Sequence, residues 1–394
     1  MSIFALVDGN NFFVSCHRAI QSDLEGLPVV VLSHDGGIII ARSNEAKALG
    51  IKMAEPVFKV KHIIESNKVI CILSNHQLYK DTSQKMMALF HRHSPKVQEY
   101  SIDEAFLDFT GVRPDHLQKL GHDIKGDIMN TLKIPVCVGF ARTKTLAKLA
   151  NHLAKSFDDL KGVYSFYEHE RLKASLGLVP IEQVWGIGSV NAKKLKGDGI
   201  HTALDLASLP LSRVKRRLNL MGQRVYQELK GQVCSPLEIT RSEQKSIMES
   251  RTMVQATSSK EKIKEEIAQH VVNVCEKLRV SGLTSKEISI SISTNRHNKG
   301  HQYEKTAKSC LLAPTNLTKT YLDQAFLLLN EIFKEGYQYK KTGVTISNLE
   351  NERTTEKDFF IAEDKKTRAL TKSVDDLNRR FGNKTITYGA TGIS

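Results

Sequence analysis

Two short apolar runs that carry acids at their ends constrain this chain more than any other feature. SIFALVD (residues 2–8) finishes on Asp8, and EAFLDFT (residues 104–110) follows directly on Asp103 and opens with Glu104. Runs of this length and apolarity read as buried strands, and acids at strand ends can converge where the strands share a sheet. The pattern predicts a mixed α/β segment with three carboxylates gathered at one end. An all-oxygen set with no nearby His or Cys favours Mg2+ over zinc, and two such ions ~3.5–4 Å apart suit phosphoryl transfer. Taken alone, an Asp-Glu pair is more often a solvated turn.

At 394 residues the chain is too long for one small core and is expected to hold several domains. No run is apolar and long enough for a membrane span, and Asp8, Asn10 and Asn11 interrupt the start too early for a secretory signal. A cytoplasmic protein with no membrane partner is the expectation. The six cysteines are scattered singly, which argues against zinc ribbons and disulfide frameworks.

The net charge of +14 is unevenly spread: −1 over residues 1–110, +8 over 111–240, +5 over 241–350 and +2 beyond. The excess lies outside the acidic cluster. That split suits a polyanion gripped by the later segments while the first holds cations, although a solvated basic surface has the same composition.

VVVL (29–32) and IIIA (38–41) flank a glycine turn and read as a hairpin, NEAKALGI as a helix closed at Gly50, and VQEYSI with EAFLDFT as a second hairpin. A helix is also expected through Cys16 to Ile20. TKTLAKLANHLAK (143–155) predicts a helix with Lys144, Lys148 and Lys155 on one face and Leu146, Leu149 and Leu153 opposite. Its ammonium groups suit a phosphate chain, or water. Trp185-Gly186-Ile187-Gly188 precedes VNAKKLKGDGI; helix, Gly-x-Gly turn, helix is the order in which a helix-hairpin-helix offers backbone N–H groups to DNA phosphate. Lys193, Lys194 and Lys196 add charge beside it, and a plain turn is the alternative.

From residue 246 the pattern predicts β-α-β-β-α-β. Ile263, Ile267, Val271, Val274 and Leu278 make one apolar helical stripe, and Leu322, Phe326, Leu329 and Phe333 another. Ile288, Ile290 and Ile292 alternate with Ser289, Ser291 and Ser293, so one face of that strand is apolar and the other hydroxylated.

ALVDGNNFF, ARSNEAKALGI, YSIDEAFLDFTG, GFARTKTLAKLANHLAK and VWGIGSVNAKKLKGDGIHTALDLA, in this order and at these separations, resemble the Y-family translesion DNA polymerases, most of all their UmuC group. The resemblance covers residues 1 to about 350. It implies a multidomain α/β (α+β) right-hand polymerase: palm at 1–20 and 76–170, small fingers at 21–75, helix-hairpin-helix thumb at 171–240, β-α-β-β-α-β little finger at 241–350, and a C-terminal tail at 351–394.

Residue by residue, the resemblance makes Asp8, Asp103 and Glu104 the catalytic ligands of two Mg2+ ions, completed by the Gly9 carbonyl, with Ser101 beside them. Phe13 falls at the sugar-discriminating aromatic, leaving Phe12 as core. Arg42, Asn44, Lys47 and Lys155 fall at triphosphate-binding positions; many relatives carry Tyr and Arg where this chain has Asn44 and Lys47, which implies weaker nucleotide affinity. Gly186, Gly188, Lys193 and Lys194 are the implied DNA contacts.

The implied activity is template-directed, error-prone extension of primed DNA from dNTPs in the bacterial SOS response. Implied partners are a UmuD-like dimer, a RecA filament and the sliding clamp. Glu356-Lys357-Asp358-Phe359-Phe360 is the one candidate clamp-binding segment, although its glutamine and leucine are missing, and the tail ends on ITYGATGIS, earlier than the resemblance leads one to expect. The competing readings are an inactive or regulatory DNA-binding paralogue, another two-metal enzyme such as a nuclease or nucleotide cyclase, and a DNA-binding scaffold with solvated acids.

Overall fold

Apolar side chains on both faces bury β1 (Phe4–Gly9) at the centre of a five-stranded sheet. It lies in the first of two units, 1–241 and 242–394, into which the chain divides. The computed structural model describes residues 2–167, 169–239, 244–298, 300–354, 365–382 and 385–392.

After β1 the chain reverses at Asn11, whose φ of 49° lies in the left-handed region that Asn tolerates better than most residues. Helix α1 (Phe12–Ile20) therefore starts ahead of the Cys16 expected from the sequence, and both phenylalanines fall in its first turn. Strand β2 (Val29–Leu32) pairs antiparallel with β3 (Ile39–Arg42), forming the expected hairpin. Next come α2 (Asn44–Ala48), capped by Ser43 Oγ, and α3 (Val57–Ser66), before β4 (Ile70–Leu73) pairs parallel with β2.

Helix α4 (His76–His93) leads into the second hairpin, β5 (Val97–Glu99) and β6 (Glu104–Asp108). Helix α5 (Leu117–Leu132), β7 (Val136–Ala141), α6 (Lys144–Ser156) and β8 (Val163–Ser165) complete the sheet, ordered β5-β6-β1-β7-β8. Tyr79, Met86, Phe90, Ile124 and Ile128 from α4 and α5 cover one face with Phe12. Leu146, Leu149 and Leu153 of α6 cover the other with Phe4, Leu6 and Phe106.

The seating of α6 is unusually close. A Cβ at Gly139 of β7 would lie 2.1 Å from the Asn151 backbone nitrogen and 2.5 Å from the Ala147 oxygen, so only glycine lets helix and strand touch here. Buried Asn151 then donates to the carbonyls of Leu6 (3.2 Å) and Cys137 (2.7 Å), fixing the helix to β1 and β7.

Helices α7 (His169–Leu178), α8 (Ser189–Gly197), α9 (Ala203–Ser208), α10 (Leu211–Arg217) and α11 (Leu220–Leu229) follow. Ile187, Leu195, Leu206 and Val225 join the apolar cluster of α6. Buried Glu228 of α11 accepts from the Thr145 N–H (2.9 Å) and hydroxyl (2.6 Å) in the first turn of α6, where the helix dipole favours a carboxylate. Between α7 and Trp185-Gly186-Ile187-Gly188 the chain makes a single 3-10 turn, Ile181–Gln183, and α8 follows the glycines.

The second unit holds the expected β-α-β-β-α-β order: β9 (Ser246–Thr257), α12 (Lys260–Val280), β10 (Leu283–Thr294), β11 (Glu304–Thr315), α13 (Thr318–Ile332) and β12 (Tyr339–Ser347). The antiparallel sheet runs β11-β10-β12-β9. Ile288, Ile290 and Ile292 are buried with both helical stripes, whereas Ser289, Ser291 and Ser293 lie on the opposite face with Lys308, Thr306 and Lys341 as cross-strand partners or neighbours. A further helix, α14 (Lys365–Phe381), docks through Asp375, which accepts from Arg279 Nε (2.6 Å) and Nη2 (2.8 Å). Tyr388 and Ala390 pack against the same core. Glu356 to Phe360 lie outside the described residues. Among those described, no helix is long and apolar enough to cross a membrane.

Candidate active site

Antiparallel pairing of β1 with β6 sets Asp8 directly opposite Glu104, so both side chains leave the same face of the sheet. Asp103 sits one residue earlier, on the turn, where its carbonyl accepts the Gly9 N–H at 2.9 Å. Ser101 Oγ donates to Asp103 Oδ1 at 2.5 Å. The residues read from the sequence as one set thus come from adjoining strand ends.

The face they share is the one α6 covers, and its lysines answer them. Lys148 Nζ lies 2.9 and 3.2 Å from the two Glu104 oxygens, and Lys155 Nζ lies 2.5 Å from Asp8 Oδ1. Lys144 is buried, donating to Gln98 Oε1 and the Pro236 carbonyl. On the basic face of this helix two lysines thus meet carboxylates, and the third is held by Gln98 and the Pro236 carbonyl.

Burial pushes the Asp103 carboxyl above the usual carboxylate range, and the Asp8 charge adds to the rise against the Ser101 hydroxyl and Lys155. Burial raises Glu104 as well, with Asp8 and Asp103 contributing and the Lys148 ammonium opposing. Among the described residues no three His, Cys, Asp or Glu side chains close around a single point. Like charges separate, and here Asp8 and Glu104 each turn to an ammonium. The donor set itself fits a hard divalent cation: three carboxylates, two of them, Asp103 and Glu104, destabilised as anions by burial and by neighbouring acids.

Lys148 is also caged by aromatic rings. Its Nζ lies 4.2 Å from the Tyr100 ring centroid, 5.4 Å from Trp185 and 5.9 Å from Phe106, within cation–π range. The Trp185 indole N–H donates to the Tyr100 hydroxyl at 3.0 Å, holding the two rings edge to face. Sequence reading placed Lys148 on the correct helix face but missed this pairing. The signal was faint, since Tyr100 and Trp185 meet it only through tertiary folding.

A cavity of about 400 Å3 opens beside Asp8 and Asp103, with Phe13, Arg42, Lys47 and Lys155 on its walls. Phe12 is buried, while Phe13 is half-buried and stacks on Tyr79 at 4.1 Å. Arg42 Nη1 donates to the Ile51 carbonyl. Lys47 Nζ donates to Asn11 Oδ1 (2.5 Å) and Asn44 Oδ1 (3.2 Å), and Asn11 Nδ2 donates to Asn44 Oδ1 (3.0 Å). Burial, with Arg42 and Lys155 nearby, lowers the Lys47 ammonium below its ordinary range. Asn11, missed from the sequence, thus ties the left-handed turn after β1 to α2.

Gly186 has φ 84°, and Gly188 is the N-cap of α8. Lys193 and Lys194 are exposed on α8, whereas Lys196 pairs with Glu182 at 2.8 Å.

Residues 7–152 match the model of the impB/mucB/samB family and residues 244–359 that of the impB/mucB/samB family C-terminal domain. The chain is 35% identical to Protein UmuC of Salmonella typhimurium strain LT2, over 100% of this chain and 94% of that protein. It is 26% identical to DNA polymerase IV 1 of Bacillus subtilis strain 168, over 98% and 92%. Among solved structures it resembles a Y-family DNA polymerase chimera of Dbh and Dpo4, with a TM-score of 0.74 and 23% identity over 88% of this chain and 99% of that one.

Proposed function

The chain belongs to the impB/mucB/samB family, and from that premise we propose that it is a DNA-directed DNA polymerase that extends a primer opposite damaged as well as intact template bases. The observation that carries this reading is the register of Asp8 with Glu104, with Asp103 on the adjoining turn, beside a cavity walled by Phe13, Arg42 and Lys47. An inactive paralogue needs only the basic surfaces and has no use for this set.

Asp8, Asp103, Glu104 and the Gly9 carbonyl would hold two divalent cations, Mg2+ by the hardness of the donors. Bound there, such ions lower the pKa of the primer 3′-hydroxyl and offset charge on the departing pyrophosphate. The protein's own groups do the rest. Phe13 lies under the sugar of the incoming nucleotide and excludes a 2′-hydroxyl. Lys47, Lys155, Arg42 and Asn44 orient the triphosphate so that the hydroxyl attacks the α-phosphorus in line. Ser101 fixes the Asp103 rotamer through its hydroxyl. Gly186, Gly188, Lys193 and Lys194, with the hydroxylated face of β10, grip the sugar-phosphate backbone without reading sequence.

Damage bypass in the SOS response, with a UmuD-like dimer, a RecA filament and the sliding clamp as partners, completes the proposal. Primer extension with Mg2+ on intact and abasic templates tests it, with and without a UmuD-like partner and RecA. Extension by the parent and none by Asp103→Ala is expected. No extension under any of these conditions, or equal extension by the two proteins, rules the reading out.

A further inference from the structure

A second cavity, of about 430 Å3, adjoins the first across Asn11, Lys47 and Lys155, and its floor is formed by residues that neither motif reading nor resemblance singles out. Lys125 of α5 enters it from below. Its ammonium donates to the Lys161 carbonyl at 2.7 Å and rests on Gly162, where a Cβ would come within 2.1 Å of Nζ. Gly162 has φ 75° and Lys161 φ 50°, so the chain after α6 doubles back in the left-handed region and leaves a hollow that only the lysine head group fills. A side chain at 162 would push Lys125 out of the pocket.

Charge in this cavity is one-sided. Lys47, Lys125, Lys155 and Lys161 line it against a single acid, Asp158. Lys155 is matched by Asp8, but among the described residues no carboxylate pairs with Lys47, Lys125 or Lys161. Asn10 supplies a second sign of an absent partner: its Nδ2 donates to Cys137 Sγ at 3.3 Å while its Oδ1 is buried with no hydrogen-bond partner. Turning this amide over lets the Cys137 thiol donate to oxygen and presents an N–H to the pocket.

Lysines that outnumber acids four to one around a polar hollow select a compact polyanion. The hollow's position selects which one, because a molecule spanning both cavities has one end at Asp8 and Asp103 and the other at Lys125 and Lys161. We propose that Lys125, Lys161 and Asn10 form a diphosphate pocket, which takes the β- and γ-phosphates of a bound nucleotide and retains them as inorganic pyrophosphate after transfer. The proposal deepens the polymerase reading and rests on it for the identity of the ligand, while the pocket's preference for diphosphate can be measured without catalysis.

The test is calorimetric titration of the full chain with inorganic pyrophosphate in magnesium-free buffer. Parent binding is expected, about tenfold weaker in Lys125→Met/Lys161→Met, the loss of roughly one charge-assisted contact. Lys119→Met/Lys133→Met removes the same charge from α5 and its C-terminal end outside the pocket and should bind as the parent does. Gly162→Ala should weaken binding with both lysines intact. No binding by the parent, equal affinity in parent and Lys125→Met/Lys161→Met, or an equal loss in Lys119→Met/Lys133→Met overturns the pocket. A parent that binds pyrophosphate yet extends no primer removes the polymerase reading and leaves the pocket standing.

Discussion

Phe12 and Phe13 are neighbours with opposite fates: one is core, the other half-buried on the cavity wall against Tyr79. A turn of 100° round the helix carries Phe13 from the core side, where Phe12 packs, to the cavity and the Tyr79 ring. If the Phe13 ring excludes ribonucleotides, Phe13→Ala should raise ribonucleotide incorporation on the order of tenfold or more, a gain worth ~1.4 kcal/mol per decade. Unchanged sugar selectivity in single-nucleotide assays would remove Phe13 from that role. Lys148 teaches the reverse lesson about legibility. Its helix face was readable from spacing alone, yet its partner Glu104 and its cage of Tyr100 and Trp185 lie 37 or more residues away along the chain and no local pattern announces them. Trp185 is the chain's one tryptophan, which makes the cage observable. A divalent cation that claims Glu104 displaces Lys148 from the rings, so Mg2+ titration without DNA should change the tryptophan emission of the parent. Lys148→Met should abolish the change; an identical response in both proteins would disconnect the cage from the carboxylates.

At the scale of elements, the carboxylate site depends on how near α6 comes to the sheet. Leucine spacing showed which side of the helix is buried, but the intimacy of the contact comes from Gly139, and a lone glycine in a strand gives no sign of which helix lies against it. Asn151 is similar: an asparagine in a basic helix reads as surface, whereas it ties α6 to the backbone of β1 and β7. Gly139→Ala should therefore cost about 3 kcal/mol in urea unfolding, the upper part of the overpacking range, because backbone atoms rather than flexible side-chain ends meet the added methyl. It should also lower extension activity with Asp8, Asp103 and Glu104 all intact, by moving Lys148 and Lys155 off their carboxylates. Full stability with full activity would show that α6 can shift without consequence. The second unit was more legible, since alternation and helical stripes act over whole elements, and only the docking of α14 through Arg279 and Asp375 escaped, a polar contact between residues 96 positions apart.

Across the whole molecule, the charge profile separates two tasks. The segment with Asp8, Asp103 and Glu104 is near neutrality, and the positive excess falls on residues 111–240 and 241–350. Lys148 and Lys155 are matched by Glu104 and Asp8 of the first segment, so the +8 of residues 111–240 overstates by two what is free to meet phosphate. Lys193 and Lys194 keep their charge exposed. Affinity for primed DNA should consequently fall steeply with salt, with a logarithmic slope near −0.9 for each phosphate contacted. Lys193→Ala/Lys194→Ala should flatten that slope by between one and two units, as fluorescence anisotropy between about 50 and 200 mM salt would register. Asp103→Ala should leave the slope as it is, because this acid sits where the nucleotide reacts and not where the backbone is held. A slope indifferent to Lys193→Ala/Lys194→Ala would take α8 out of the phosphate interface and leave the hydroxylated sheet face of the second unit to account for DNA affinity.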